Sequence, residues 1–204
     1  MIKVIAFDLG GVVITIDRPQ AIRRFRELGL ADAESRLDAY TQTGIFGDLE
    51  AGKIGEEEFR IALERLTGRR LTISDCRYAW QGYRKEVPER NLELLRRLRQ
   101  EGYRVVLASN TNPCMMEWAD RDFDGKGHAM ADYFDAMYRS YEIKEMKPGE
   151  GFFRFMLNKE AVAPADMLFV DDGPRNCEAA GKLGIRTFCP VNGQDWTQRL
   201  PDFL

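Results

Sequence analysis

Apolar residues along this chain fall into two patterns, short unbroken runs and stripes at helical spacing, and the two alternate. Val4-Ile5-Ala6-Phe7 is an unbroken run, closed by a carboxylate, Asp8, and then by Gly10 and Gly11. Short runs with β-branched residues and no internal charge suit a parallel strand covered on both faces. Comparable runs follow at Arg104–Ala108, Phe134–Arg139, Met167–Val170 and Ile185–Phe188. Between them lie helical stripes. Pro88 opens one with Leu92, Leu95 and Leu98 on a single face, and Gly102 ends it. Phe152, Phe155 and Met156 mark a second, and Cys177 to Leu183, closed by Gly184, a third. Strands alternating with helices predict an α/β fold built on a Rossmann-like, doubly wound parallel sheet.

One stretch breaks the alternation. Val12 to Ile16 predicts an extended arm, and Asp17-Arg18-Pro19 a helix start, with Ala21, Ile22, Phe25 and Leu28 inward and Gly29 as the stop. Glu56–Leu66 carries Phe59, Ala62, Leu63 and Leu66 on one face, and Ser74-Asp75 starts a helix containing Tyr78 and Trp80. No convincing strand falls between Gly29 and Tyr83. The expected organisation is therefore a core of residues 1–16 and 87–204 with an inserted all-α cap, residues 17–86. A length of 204 residues accommodates one core plus such an insertion.

Composition removes several function classes. Charged residues make up 31% of the chain, yet the net charge is only −3, which leaves no electrostatic footprint for nucleic acid. Arginine pairs such as Arg23-Arg24 and Arg96-Arg97 are mixed with glutamate and read as solvated helix faces. No apolar run approaches the ~20 residues of a membrane span. Met1-Ile2-Lys3 leads straight into the first strand with no room for a signal peptide, so a cytoplasmic location is expected. Cys76, Cys114, Cys177 and Cys189 lack metal-site spacing and are expected as buried free thiols. His128, beside a glycine-rich loop, is expected at the surface.

The candidate chemistry sits at the strand ends. Asp8, Ser109-Asn110 and Asp171-Asp172 each follow a strand, and Lys147 follows the third. Right-handed crossovers bring these ends to one edge of the sheet. Three carboxylates at one point repel unless a cation lies among them, and an oxygen-only set favours Mg²⁺. A lysine beside them makes sense if a phosphate bridges metal and ammonium, with Ser109 and Asn110 donating to its remaining oxygens. Asp8 is then placed to attack phosphorus and form an aspartyl-phosphate. The implied partner is a small phosphorylated molecule.

Four segments in order, Phe7-Asp8-Leu9-Gly10-Gly11-Val12, Ala108-Ser109-Asn110-Thr111, Met146-Lys147-Pro148 and Val170-Asp171-Asp172-Gly173, resemble the haloacid dehalogenase-like superfamily. The helical insertion resembles that family's type 1 cap. Leu49-Glu50-Ala51-Gly52-Lys53-Ile54 with Glu56-Glu57-Glu58-Phe59 is similar to its glucose-1-phosphatase-like branch, with the phosphatase domain of epoxide hydrolases a more distant likeness. The resemblance implies a Mg²⁺-dependent phosphatase with Asp8 and Lys147 as catalytic residues. Asp8, the Gly10 carbonyl, Asp171 and Asp172 would bind the metal. Gly11, Ser109, Asn110 and Lys147 would hold the phosphate, and Asn176 would orient the acidic loop. Dehalogenation fits less well, because the acidic pair has no use without a metal.

The chain departs from the family pattern once. The usual Asp-x-Asp ends here in Gly10, so the acid that protonates the leaving oxygen is missing. Such a group contributes about 10²–10⁴-fold. Two consequences are expected: a substrate with a good leaving group, such as an anomeric sugar phosphate or an acyl phosphate, and a gain on alkyl phosphates from Gly10→Asp. Asp17, Asp48 and Glu50 are possible stand-ins. The alternative is a catalytically weakened protein that binds a phosphate ligand or a partner. Trp80, Phe46 and Tyr83 are candidates either for a substrate pocket or, at helical spacing, for core.

Overall fold

The computed structural model describes residues 1–38 and 42–204. The chain begins with β1 (Val4–Phe7) and β2 (Thr15–Ile16), followed by α1 (Arg18–Glu27), α2 (Ala33–Arg36), α3 (Ile45–Glu50), α4 (Glu56–Thr67) and α5 (Ile73–Trp80). Next come β3 (Arg84–Glu86), α6 (Glu89–Gln100), β4 (Arg104–Ser109), α7 (Pro113–Met116), β5 (Ala136–Arg139) and α8 (Ser140–Ile143). It closes with α9 (Glu150–Glu160), β6 (Met167–Val170), α10 (Pro174–Lys182) and β7 (Arg186–Phe188).

Five strands form one parallel sheet in the order β5-β4-β1-β6-β7. The all-apolar β1 takes the centre, where every residue is covered on both faces. Its register aligns Phe7 with Leu107 on one side and Val170 on the other. The residues just past these three therefore leave the sheet along one edge. Strand order reverses at β1, which is the crevice where open α/β sheets bind ligands.

Alternation along the strands divides the core. Val4, Ala6, Val106, Ala108 and Phe169 face one layer, packed with Phe152, Phe153 and Met156 of α9. Ile5, Phe7, Val105, Leu107 and Val170 face the other, which is continuous with the interior of the inserted helices. There Phe46 is the hub, its ring 5.4 Å from both Phe25 and Phe59 and 5.8 Å from Trp80. Such aromatic pairs contribute about 0.5–1.5 kcal/mol each beyond the area they bury. They fix α3, and with it the residue one turn beyond Phe46, Glu50.

Several local readings change. The charged Arg84-Lys85-Glu86 forms β3, which pairs antiparallel with β2, Thr15 opposite Glu86. No apolar alternation announces β3; its partner strand supplies the reason for it to be extended. The helix α5 starts after Thr72 rather than at Ser74-Asp75, because Thr72 and Asp75 make a reciprocal capping box. The third strand of the sheet begins at Ala136, with Phe134 buried in the preceding loop. Residues 39–41, inside the stretch expected to be helical, lie outside the described residues. Asp17 caps α1, accepting from the Gln20 N–H at 2.9 Å, and Trp196 and Leu200 anchor the tail as expected. Cys76, Cys114 and Cys177 are buried and unbridged, but Cys189 is exposed. His128 is exposed, its ring 2.7 Å from Asp124. Among the described residues no helix is long and apolar enough to cross a membrane.

Candidate active site

Asp8 is the first residue beyond β1, its N–H held by the Val170 carbonyl at 2.8 Å. Its Oδ1 accepts from the Leu9 N–H at 2.7 Å and lies 2.9 Å from Lys147 Nζ. The other oxygen has no hydrogen-bond partner among the described residues. Lys147 is 3% exposed and also meets Asp171 Oδ2 at 2.5 Å. Asp171, wholly buried, accepts further bonds from the Gly173 N–H at 2.7 Å and from Asn176 Nδ2 at 3.0 and 3.1 Å. Both of its oxygens are therefore engaged by donors, and Asn176 orients the acidic loop by gripping it.

Two of the residues expected to hold phosphate also make contacts within the protein. The Asn110 amide is paired at both ends with the backbone of Lys147, donating to its carbonyl at 2.8 Å and accepting from its N–H at 2.9 Å. That side chain aims the lysine, and Asn110 lines the cavity beside it. The Gly11 N–H donates to the Ile14 carbonyl at 2.8 Å and is not offered to a phosphate. What Gly11 supplies is room: at φ +77° a Cβ there would stand 2.0 Å from Asp172 Oδ2. Ser109, 2% exposed, does line the cavity at the end of β4.

The electrostatics follow from burial and crowding. Burial pushes Asp8 up to about 6, opposed by Lys147 and seconded by Asp171. Asp172 rises to about 8, through burial and then through the charges of Asp8 and Asp171. Burial works against the Lys147 charge, yet Asp171 and Asp8 outweigh it and hold the ammonium above its ordinary value. One ammonium thus pairs with two of the three carboxylates, and Asp172 is left without an ion pair among the described residues.

Asp8, Asp171 and Asp172 offer carboxylate oxygens that all lie within 4.8 Å of one another. The cavity is also lined by Gly10, whose carbonyl accepts no hydrogen bond among the described residues. This all-oxygen set, with net negative charge, fits a hard divalent cation such as Mg²⁺.

The cavity measures about 90 Å³, against the roughly 10–15 Å³ that a single water needs. Its far wall comes from the inserted helices: Gln42, Glu50, Trp80 and Tyr83. Phe46 is core alone, whereas Trp80 and Tyr83 serve both core and wall. Of the three possible stand-in acids, Asp17 is a helix cap and Asp48 pairs with Lys53 at 3.1 Å. Glu50 is the one that lines the cavity, 7% exposed. Burial first, then the charge of Asp8, pushes it up to about 8, with Lys147 opposing.

Glu50 is held there by its backbone. Its carbonyl accepts from Ser140 Oγ at 2.7 Å, and the Gly52 carbonyl accepts from Lys144 Nζ. Ser140 Oγ also accepts from the Thr111 N–H at 3.0 Å, tying the loop after β4 to the end of α3. A Cβ on Gly52, at φ +62°, would meet the Tyr141 carbonyl at 2.1 Å. That glycine, two residues past Glu50, is the sequence signal of a close approach.

Comparison with known proteins agrees with this geometry. The model of the haloacid dehalogenase-like hydrolase family matches residues 2–184. The chain is 47% identical over 205 residues to a D-ribitol-5-phosphate phosphatase of Bacteroides thetaiotaomicron, covering 100% of this chain and 99% of that protein. A solved HAD-like family hydrolase from Porphyromonas gingivalis superposes with a TM-score of 0.94 at 39% identity, covering 99% of this chain and 97% of the other. A second, a HAD family enzyme from Bacteroides thetaiotaomicron in complex with magnesium and inorganic phosphate, gives a TM-score of 0.87 at 33% identity over 98% and 99% of the two chains. With its five-stranded parallel sheet and the family match over nearly its whole length, the chain belongs to the haloacid dehalogenase-like hydrolases.

Proposed function

We propose that this protein is a Mg²⁺-dependent phosphomonoesterase that acts on a small phosphorylated polyol or sugar through a phosphoryl group carried on Asp8. The observation that carries the reading is the disposition of Asp8: one oxygen held by Leu9 and Lys147, the other unengaged, inside a cluster of three acids. Similarity to a D-ribitol-5-phosphate phosphatase and to a magnesium and phosphate complex supports it.

Asp8, Asp172 and the Gly10 carbonyl would hold the Mg²⁺, with Asp171 beside them, and the ion when bound supplies positive charge opposite the phosphate oxygens. The unengaged oxygen of Asp8 attacks phosphorus in line with the departing alcohol oxygen. Lys147, fixed by Asp171 and Asn110, presents its ammonium to the negative charge spread over the transferring group. Ser109 adds a hydroxyl donor at the same end of the cavity. Water then cleaves the aspartyl-phosphate and restores Asp8. Residues 17–86 act as a cap over the core of residues 1–16 and 87–204; the support is that Gln42, Glu50, Trp80 and Tyr83 share a cavity with Asp8. The substrate in the relative's name is the ester of a primary alcohol, a poor leaving group. That runs against an expectation based on Gly10 alone, and no feature of the site favours a protein that only binds.

Hydrolysis of 4-nitrophenyl phosphate tests the reading. Turnover is expected with Mg²⁺, is lost with EDTA and is lost in Asp8→Asn. Turnover that survives Asp8→Asn, or none in the wild type with Mg²⁺, would overturn it. A panel of polyol and sugar phosphates then ranks substrates.

A further inference from the structure

We infer that Glu50, delivered from the end of α3, is the acid and base of this site, standing in from the cap for the carboxylate that Gly10 lacks. The inference rests on the phosphatase reading above and assigns the proton that reading leaves without a carrier.

Three observations converge on Glu50. First, it is a buried carboxyl with no hydrogen bond or ion pair to its side chain among the described residues, yet it lines the cavity that holds Asp8 and Lys147. Buried carboxyls are otherwise almost always paired, and an unpaired one in a cleft marks a group that awaits a ligand. Second, its position is enforced, since Ser140 and Lys144 grip the backbone on either side of Ala51. Third, the usual ground for the acid is narrow, and a side chain there needs Ile16 to give way by a few tenths of an ångström. A Cβ on Gly10 would meet Ile16 Cγ2 at 3.2 Å, and Ile16 borders the same cavity.

The other candidates are engaged. Tyr83 donates its hydroxyl to the Asp38 carbonyl at 2.9 Å and is held well above its ordinary value by burial. Lys147 is bound between two carboxylates, and Asp172 belongs to the cation site. Burial, the larger cause of the raised Glu50 value, keeps that carboxyl protonated near neutral pH, as a proton donor must be.

As Asp8 attacks, the P–O bond to the alcohol breaks, and the leaving oxygen keeps the electron pair and takes the Glu50 proton. In the second step the Glu50 carboxylate takes a proton from water as the water oxygen bonds to phosphorus. The P–O bond to Asp8 breaks, releasing inorganic phosphate and returning Glu50 to its acid form. Atoms and protons balance with water alone.

Glu50→Gln, which keeps the shape and removes the transferable proton, separates this role from simple substrate binding. For a primary alkyl phosphate, kcat is expected to fall about 10²–10⁴-fold. The single-turnover release of 4-nitrophenolate, which needs no proton, should stay within about threefold of wild type. Across a series of esters the rate of the variant depends more steeply on leaving-group pKa than that of the wild type. An equal loss on both esters, a rise in KM alone, or no loss would overturn the assignment. Failure of the wild type on both esters with Mg²⁺ would instead strike the phosphatase reading itself. The thermal midpoint of Glu50→Gln should not fall below wild type, because an unpaired buried carboxyl has gone. Glu50→Asp, withdrawing the carboxyl by one methylene, is expected to show a smaller loss on the alkyl ester with the single-turnover release of 4-nitrophenolate unchanged; an equal loss in that release would overturn the role.

Discussion

Gly11 and Asp172 occupy the same space but for one carbon: a Cβ on Gly11 would lie 2.0 Å from Asp172 Oδ2. The backbone of the first loop thus forms the wall against which an acid from the end of β6 is seated. Gly11→Ala must drive Asp172 away and also adopt φ near +77°. The left-handed conformation alone costs about 1–2 kcal/mol for a residue with a Cβ. Mg²⁺ affinity measured by calorimetry should fall at least about tenfold, and activity with it, since one ligand of a small set is displaced. Unchanged affinity would mean that Asp172 is not a ligand.

Lys147 is the sole ammonium within reach of Asp8 and Asp171 among the described residues. Lys147→Ala leaves the half-buried Asp8 and the buried Asp171 carboxylates without their cation, although backbone and Asn176 donors remain. The expected destabilisation in urea, without metal, is about 3–5 kcal/mol at pH 8. It should shrink near pH 5, where Asp8, held at about 6, takes up a proton. An equal loss at both pH values would contradict the charge pairing.

The acidic cluster also sets the pH dependence of the metal-free protein. Asp8, Glu50 and Asp172 are raised to about 6, 8 and 8. Between their unfolded values near 4 and these values, the folded state binds more protons than the unfolded chain. Their contribution is complete below about pH 4 and is lost as the pH rises to about 8. Lys147, raised above its ordinary value, contributes a constant amount over that window. The urea midpoint in EDTA is therefore expected to fall between about pH 5.5 and 8. Mg²⁺ should remove or reverse the slope, since it binds the deprotonated acids. A midpoint in EDTA that rises over this range would contradict the assignment.

Ser140 joins two parts of the site, the Glu50 carbonyl at 2.7 Å and the Thr111 N–H at 3.0 Å. Ser140→Ala breaks both bonds in a fully buried place. A stability loss of about 1–3 kcal/mol is expected from urea unfolding, because the Thr111 amide is left without an acceptor. Activity on an alkyl phosphate should fall more than activity on an aryl phosphate. Equal effects on the two would place Ser140 outside the path to Glu50.

Asp8, Asp171, Asp172 and Lys147 are legible along the chain because each follows a short run, and parallel pairing aligns the ends of such runs. The helical insertion is legible from its 3.6-residue stripes. What pairing alone does not reveal is which way a side chain is used once it arrives. Asn110 and Gly11 stand out by position, but that position does not reveal that one also holds the Lys147 backbone and the other makes room for Asp172. Glu50 stands among three equivalent carboxylates along the chain. Only the docking of α3 against α8, through Ser140 and Lys144, separates it from Asp17 and Asp48. The strand β3 is invisible for the same reason, since its extended form comes from a partner about seventy residues away.

The most direct test of the central claim is to find the phosphoryl group. Wild-type protein mixed with Mg²⁺ and radiolabelled aryl phosphate, quenched in acid within the first turnover, should carry label on the peptide containing Asp8, and Asp8→Asn should carry none. Label on another residue, or full turnover without any labelled protein in a burst that would have shown it, would contradict the account.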